Sequence, residues 1–261
     1  MLLSEIVDNN DFIIGFLRFS SKERLEQLRS GSVYMNTFQF FKELEQRDGK
    51  KGQGDAHDLS LIINNLTRVQ FVHPETGEVF LEGTAGKGDL FSPDDYKNHL
   101  YCLTAITPNM LEILSRDGNE VQVKLNLPDE LKHLAAGMFG DHVMFISKPL
   151  FLERVYKECL EKGYQCIHGK VNYKDMSINY MERFVAFNEG KVELFFEKDK
   201  FYEFQNEYRI VILNAPKEGK ALELEIGDIS DISILTSLEV FNKNELRFGI
   251  RLQELEESSN D

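Results

Sequence analysis

The sequence predicts a mixed α+β fold in one domain over residues 1–250, and three observations predict it. Strand-like and helix-like patterns alternate with almost no loop as far as Glu45, a turn with Pro and Gly separates two β-like runs near residue 75, and the last third is made of short apolar runs. A chain of 261 residues, 42% of them hydrophobic, can bury a sizeable core, and no internal repeat or compositional shift marks a boundary.

Residues 11–19 are apolar except at the ends and at Arg18, the pattern of a buried strand. Ser20 or Ser21 then opens a helix with Leu25 and Leu28 on one face, Arg29 near its end and Gly31 at the C-cap. A short strand at 33–36 leads into a second helix at 38–45, whose apolar positions 38, 41 and 44 recur at helical spacing. Residues 47–58 carry Gly49, Gly52 and Gly54 among charged side chains and read as a surface loop. His73-Pro74-Glu75-Thr76-Gly77 is the turn of a hairpin within 59–80, and 82–89 is a second glycine-rich loop. Further along, the patterns predict a strand at 100–106, a helix near 109–115, a strand at 120–125 and a helix after Pro128. Strands follow at 166–173, 207–213, 221–226 and 232–235, before an acidic tail at 251–261 that is expected to be disordered.

Composition narrows the partners. Thirty Lys and Arg against 44 Asp and Glu give a formal charge of −14, which raises the cost of approaching a phosphate backbone and disfavours nucleic acid. No window approaches the ~18 uncharged apolar residues of a membrane span, and the first residues lack a basic and then apolar leader. Three cysteines, Cys102, Cys159 and Cys166, follow no disulfide-framework spacing, so a reducing, cytoplasmic location without a membrane partner is expected.

Three polar side chains fall at strand positions that a core would reject: Arg18, Tyr34 and Glu207. A charge placed in an apolar strand costs several kcal/mol unless it is paired or faces a cleft. Arg18 and Glu207 can therefore form a structural ion pair, or all three can line a site. In a site, a guanidinium holds phosphate or ribose, a phenol stacks on a ring, and a carboxylate stabilises positive charge on a sugar carbon.

Phe16-Leu17-Arg18-Phe19, Gly31-Ser32-Val33-Tyr34-Met35-Asn36 and Gln205-Asn206-Glu207-Tyr208-Arg209 resemble the spaced signature of an uncharacterised bacterial family of the DUF2971 kind, itself similar to the ADP-ribosyltransferase fold. The resemblance implies two small, mainly antiparallel sheets forming a cleft that grips NAD as substrate, with surrounding helices. It implies Arg18, Tyr34 and Glu207 as catalytic residues, with Asn36 and Gln205 joining Arg18 and Tyr34 in binding the dinucleotide. Gln205-x-Glu207 is similar to the transferase signature, whereas Arg18 followed by Tyr34 mixes two patterns within that fold. The implied activity is cleavage of the nicotinamide–ribose bond, with transfer of ADP-ribose to a protein acceptor or to water, as in an ADP-ribosyltransferase or NAD glycohydrolase. A role as a toxin or antiviral defence effector follows from the family alone.

Two other readings stand beside this one. The same cleft can bind a nucleotide or protein without turnover. Alternatively Asp48, Asp55, His57 and Asp58 can gather a divalent cation for a phosphodiesterase or nuclease, or their loop can simply cover a substrate. Cys159, Cys166 and His168 lack a fourth zinc ligand and read as packing residues, as does Cys102. Lys198 and Lys200 precede Glu207 at a distance that would let them touch a pyrophosphate, but a solvated face explains them as well.

Overall fold

The computed structural model describes residues 1–7, 12–48, 52, 54–55, 57–84, 86–216, 221–244 and 246–252. Nearly all of the tail expected at 251–261, and part of the loop at 47–58, lie outside these residues. Tertiary contacts gather the chain into two compact units. Unit 1 is Met1–Asn36, His99–Lys170 and Phe204–Asp261, and unit 2 is Thr37–Asn98 and Val171–Glu203. The chain passes from one to the other and back, so no single point along it could carry a boundary signal.

Up to residue 98 the elements are β1 (Gly15–Ser20), α1 (Lys22–Arg29), β2 (Ser32–Thr37), α2 (Phe38–Asp48), β3 (Leu61–Asn64), β4 (Val69–Val72), β5 (Val79–Gly83) and β6 (Lys87–Leu90). There follow β7 (His99–Ile106), β8 (Leu111–Asp117), β9 (Glu120–Leu125), α3 (Asp129–Leu134), β10 (His142–Ser147), α4 (Lys148–Glu161), β11 (Cys166–Lys170) and β12 (Asn172–Lys174). The chain ends with α5 (Met181–Glu189), β13 (Glu197–Asp199), β14 (Glu207–Ile212), β15 (Leu222–Glu225), β16 (Ser233–Ser237), α6 (Leu238–Asn244) and β17 (Arg247–Arg251). Among the described residues no helix is long and apolar enough to cross a membrane.

The mixed α+β class expected from the sequence is present, with largely antiparallel sheets, but two small sheets are not the plan of unit 1. It is built on one eight-stranded sheet in the order β11-β14-β7-β1-β10-β16, to which β2 and β15 attach, beside a three-stranded β17-β9-β8 sheet. Helix α1 buries Leu25 and Leu28 as their spacing predicts. It is followed by Gly31 at φ +110°, where a Cβ would sit 2.5 Å from the Gly227 carbonyl oxygen, so both the conformation and the close approach require glycine. The helix expected near 109–115 is instead strand β8, which turns through Gly118 (φ +59°) into β9. Leu111 and Leu114 stand at helical spacing while Leu111 and Ile113 stand at strand spacing, and pairing with β9 decides.

Both faces of the large sheet are covered, and register assigns each side chain to one of them. Leu17 and Glu207 both pair with Thr104, so these three side chains share a face, and Leu17 belongs to a core with Phe19, Ile106 and Val143. Arg18 pairs with Met144, which lies on the other face in a core with Phe16, Leu103 and Tyr208. Arg18 and Glu207 therefore project from opposite faces and cannot form the ion pair considered from sequence. Glu207 accepts instead from Arg209 Nε at 2.7 Å, two residues along the same strand. With Glu207 4% and Arg209 0% exposed, this is a buried pair in the fully buried strand β14.

Unit 2 is built from smaller pieces: α2 and α5, the antiparallel pairs β3–β6 and β4–β5, and the parallel pair β12–β13. The β4–β5 pair is the hairpin predicted around residue 75. The stretch expected as a second glycine-rich loop contains β6, which pairs with β3.

Removing one member of a buried pair leaves the other charge uncompensated, a change that commonly costs about 3–5 kcal/mol. Glu207→Gln is therefore expected to lower the unfolding free energy measured by urea titration by an amount in that range, with much of the loss recovered in Glu207→Leu/Arg209→Met. Unchanged stability of Glu207→Gln would show that the pair does not hold β14.

Candidate functional site

The five residues that the resemblance singles out, Arg18, Tyr34, Asn36, Gln205 and Glu207, all fall in unit 1 but do not converge. Arg18 donates from its guanidinium to the Cys102 carbonyl at 2.5 Å and lies 4.8 Å from the centre of the Tyr101 ring, so it is held by β7. Tyr34 lies between Val33 and Met35, both buried in the core on Arg18's side of the sheet; alternation turns the phenol away from that core, and it is 58% exposed. The expectation that Arg18, Tyr34 and Glu207 line one concave pocket is thus corrected: strand alternation sends them in three directions. Asn36 shares Tyr34's face and is half-buried, while Gln205 is buried at the end of a 3₁₀ turn just before β14.

Tyr34 borders a shallow depression of about 610 Å³ whose charged lining is Glu23, Glu26, Glu223 and Glu225. Such a field favours a cationic group over a phosphate at this spot.

Unit 2 contains the better-formed cavity, about 400 Å³, within the ordinary range of small-molecule sites. Its construction starts from a buried guanidinium. Arg183, on the inward face of α5, donates from Nε to Glu197 Oε2 at 2.8 Å and from an NH2 group to the Ser60 carbonyl at 2.7 Å. Lys174 Nζ reaches the other oxygen of Glu197 at 2.6 Å. One carboxylate thus ties α5 to β13 and β12, and the arginine extends the tie to the segment before β3.

The loop predicted at 47–58 forms one wall. Gly54 is pressed against α2, where a Cβ would lie 2.2 Å from the Phe41 carbonyl oxygen. Asp55 Oδ1 accepts from the His57 backbone N–H at 2.9 Å, and Asp55, His57 and Asp58 all line the cavity. The described residues Asp55, His57 and Asp58 of this loop therefore border a cavity. Asp48's side chain lies outside the described residues, and no group of three or more His, Cys, Asp and Glu suited to a metal ion occurs among those described.

Lys198, Phe201 and Tyr202 line the same cavity. Lys198 is only 7% exposed, and its ammonium lies 4.5 Å from the centre of the Tyr202 ring. Burial, and then the negative fields of Asp55, Glu45, Asp199 and Asp58, push the Tyr202 phenol far above its ordinary value. Besides Glu197, which Arg183 and Lys174 bind, the lining acids are these same four carboxylates, and Lys87, Lys198 and His57 line the cavity with them. An already acidic cavity that holds a buried ammonium over an aromatic ring is arranged to accept positive charge.

Sequence reasoning missed Lys174, Arg183, Glu197 and Tyr202. A usable signal existed for Arg183, a charge on the face of α5 that also buries Ala186. This is the same anomaly that drew attention to Arg18.

Tyr96, which bonds Ser60 Oγ at 3.0 Å and donates to the Asp58 carbonyl, is pushed up to about 12, chiefly by burial. A folded-state value above the unfolded one stabilises the fold fully below the unfolded value near 10, and this contribution is lost as pH rises towards 12. Stability is therefore expected to fall between about pH 10 and 12 with tyrosinate absorbance appearing on unfolding, and Tyr96→Phe should flatten that fall. Tyrosinate absorbance complete at pH 10 in the folded protein would contradict it. Comparison of the chain with protein-family models, with curated proteins and with solved structures returned no match.

Proposed function

We propose that the chain binds a small ligand in the unit 2 cavity through a flat, positively charged group. The observation that carries this reading is the set of four carboxylates around Tyr202, with the largely exposed Phe201 beside it. A carboxylate field attracts a cationic ring, and the aromatic side chains offer it stacking and cation–π contact. The volume suits a nucleoside-sized group.

The dinucleotide implied by the sequence resemblance keeps a place in this reading, with its pyridinium end in unit 2 in place of contacts to Arg18, Tyr34 and Glu207. The sign of the field also selects among reactions. Carboxylates oppose the oxyanion that builds up when an ester or phosphate is attacked, and they favour a sugar carbon becoming positive as its bond to a cationic base breaks. Cleavage of such an N-glycosidic bond is therefore the chemistry proposed for the cavity, and binding without turnover is the second reading, which the same contacts support.

NAD and its reduced form differ at the ring by one positive charge, so calorimetric titration with each isolates the feature that matters. NAD is expected to bind at least about tenfold more tightly, the ratio given by roughly 1.4 kcal/mol of charge recognition. Asp58→Asn should narrow that ratio while Arg18→Gln leaves it unchanged. Equal affinity for the two forms, or loss of binding only in the Arg18 variant, would overturn the assignment.

A further inference from the structure

We infer that His57 is the proton acceptor of the unit 2 cavity and that Asp89 positions it. This inference rests on the ligand reading above and adds the acceptor of the cleaved group, which becomes water. His57 lines the cavity, and its Nδ1 lies 3.0 Å from Asp89 Oδ2 on β6. Its backbone is fixed independently: the N–H donates to Asp55 Oδ1, and the carbonyl accepts from the Ser60 N–H at 3.1 Å. The ring is thus held at both ends of its short side chain, by a turn on one side and a carboxylate on the other.

That arrangement dictates a tautomer. A carboxylate on Nδ1 holds the proton there and leaves the lone pair on Nε2. Among the described residues no protein group bonds Nε2. The side chain is 51% exposed, so water can reach it. Asp89 does not line the cavity, so its action is through His57.

The step balances without another reactant. A water oxygen bonds to the anomeric carbon while one of its protons passes to Nε2. The bond from that carbon to the ring nitrogen breaks, and its electron pair returns to the ring, cancelling the ring's positive charge. The base leaves neutral and needs no acid. The products are the free sugar and the base, and His57 releases its proton to solvent. A general base contributes about 10²–10⁴ in rate to such a step.

The test uses the full chain with nicotinamide riboside, read by release of nicotinamide. The expected result is hydrolysis by the parent protein, a kcat about 100-fold lower for His57→Gln with KM nearly unchanged, and partial recovery of His57→Gly by added imidazole. A histidine that merely supported the loop would not be rescued by imidazole. Independently of turnover, ¹⁵N NMR of the parent should show the Nδ1–H tautomer at His57, shifting towards Nε2–H in Asp89→Asn. An Nε2–H tautomer in the parent, or full activity in His57→Gln, overturns the assignment of the base while leaving ligand binding intact. Binding of nicotinamide riboside without hydrolysis also overturns it. Absence of binding removes both this inference and the ligand reading beneath it.

Discussion

Alternation along paired strands is the constraint on which unit 1 depends. Its large sheet is covered on both faces, so each residue of β1, β7 and β14 is committed to one core or the other by register alone. Leu17, Thr104 and Glu207 form one row and point one way, and the row of Arg18 and Met144 points the other. A shift of a single residue would exchange these assignments and drive Phe16 and Leu17 into the wrong cores. Because every apolar side chain in the sheet resists that shift, the separation of Arg18 from Glu207 is as firm as the core itself. Each charge is then satisfied locally, Arg18 by a β7 carbonyl and the Tyr101 ring, Glu207 by Arg209.

Unit 2 follows a different logic, since its sheets have two strands each and such pairs are marginal alone. Its coherence comes from polar ties between elements. Glu197 takes Lys174 on one oxygen and Arg183 on the other, and Arg183 continues to the Ser60 carbonyl. Ser60 in turn meets Tyr96 through its hydroxyl. Desolvating these groups is costly unless every partner is present, so the network specifies one arrangement of α5, β12, β13 and the turn before β3. The same segments supply the cavity walls, and the network that orders the unit therefore also fixes the separation of the carboxylates from Phe201 and Tyr202.

What was legible in the sequence was local. The first strand and helix, the cap at Gly31, the hairpin at 73–77 and the strands near 100, 120 and 207 follow from periodicity and turn chemistry, because neighbours in sequence determine them. The sequence reads β8 as a helix because its seven residues carry Leu111 and Leu114 at helical spacing as well as Leu111 and Ile113 at strand spacing, and only pairing with β9 distinguishes the two. The single large sheet was not legible either, since β14 lies between β11 and β7, two strands far from each other in sequence. The site was misplaced for a related reason. A charge in an apolar strand correctly signals a need for a partner, but whether that partner is a neighbour two residues along, as for Glu207, or a ligand depends on register that no local pattern contains. The loop at 47–58 was recognised as a candidate covering loop, and its role as a wall depended on Gly54 fitting against the Phe41 carbonyl.

The sign of the charge in the unit 2 cavity carries the remaining step. In a chain of net charge −14, a cluster of carboxylates on open surface would be expected on composition alone and would be screened by salt. The Tyr202 phenol resists ionisation first because it is buried and then because of the carboxylates around it, and Asp55 and Asp58 are themselves buried. Holding like charges close together in that setting costs free energy, and Lys198 over the Tyr202 ring and Lys87 in the lining offset part of it. A cationic ligand offsets more, and one whose charge migrates from ring to sugar as a bond breaks retains that compensation throughout the reaction. A ligand that turns an anionic group towards these carboxylates, or a reaction that builds negative charge beside them, would add to the repulsion. Under the proposed function the cavity discriminates by charge before it discriminates by shape, and a pair of ligands alike in outline and different in one charge is the informative comparison.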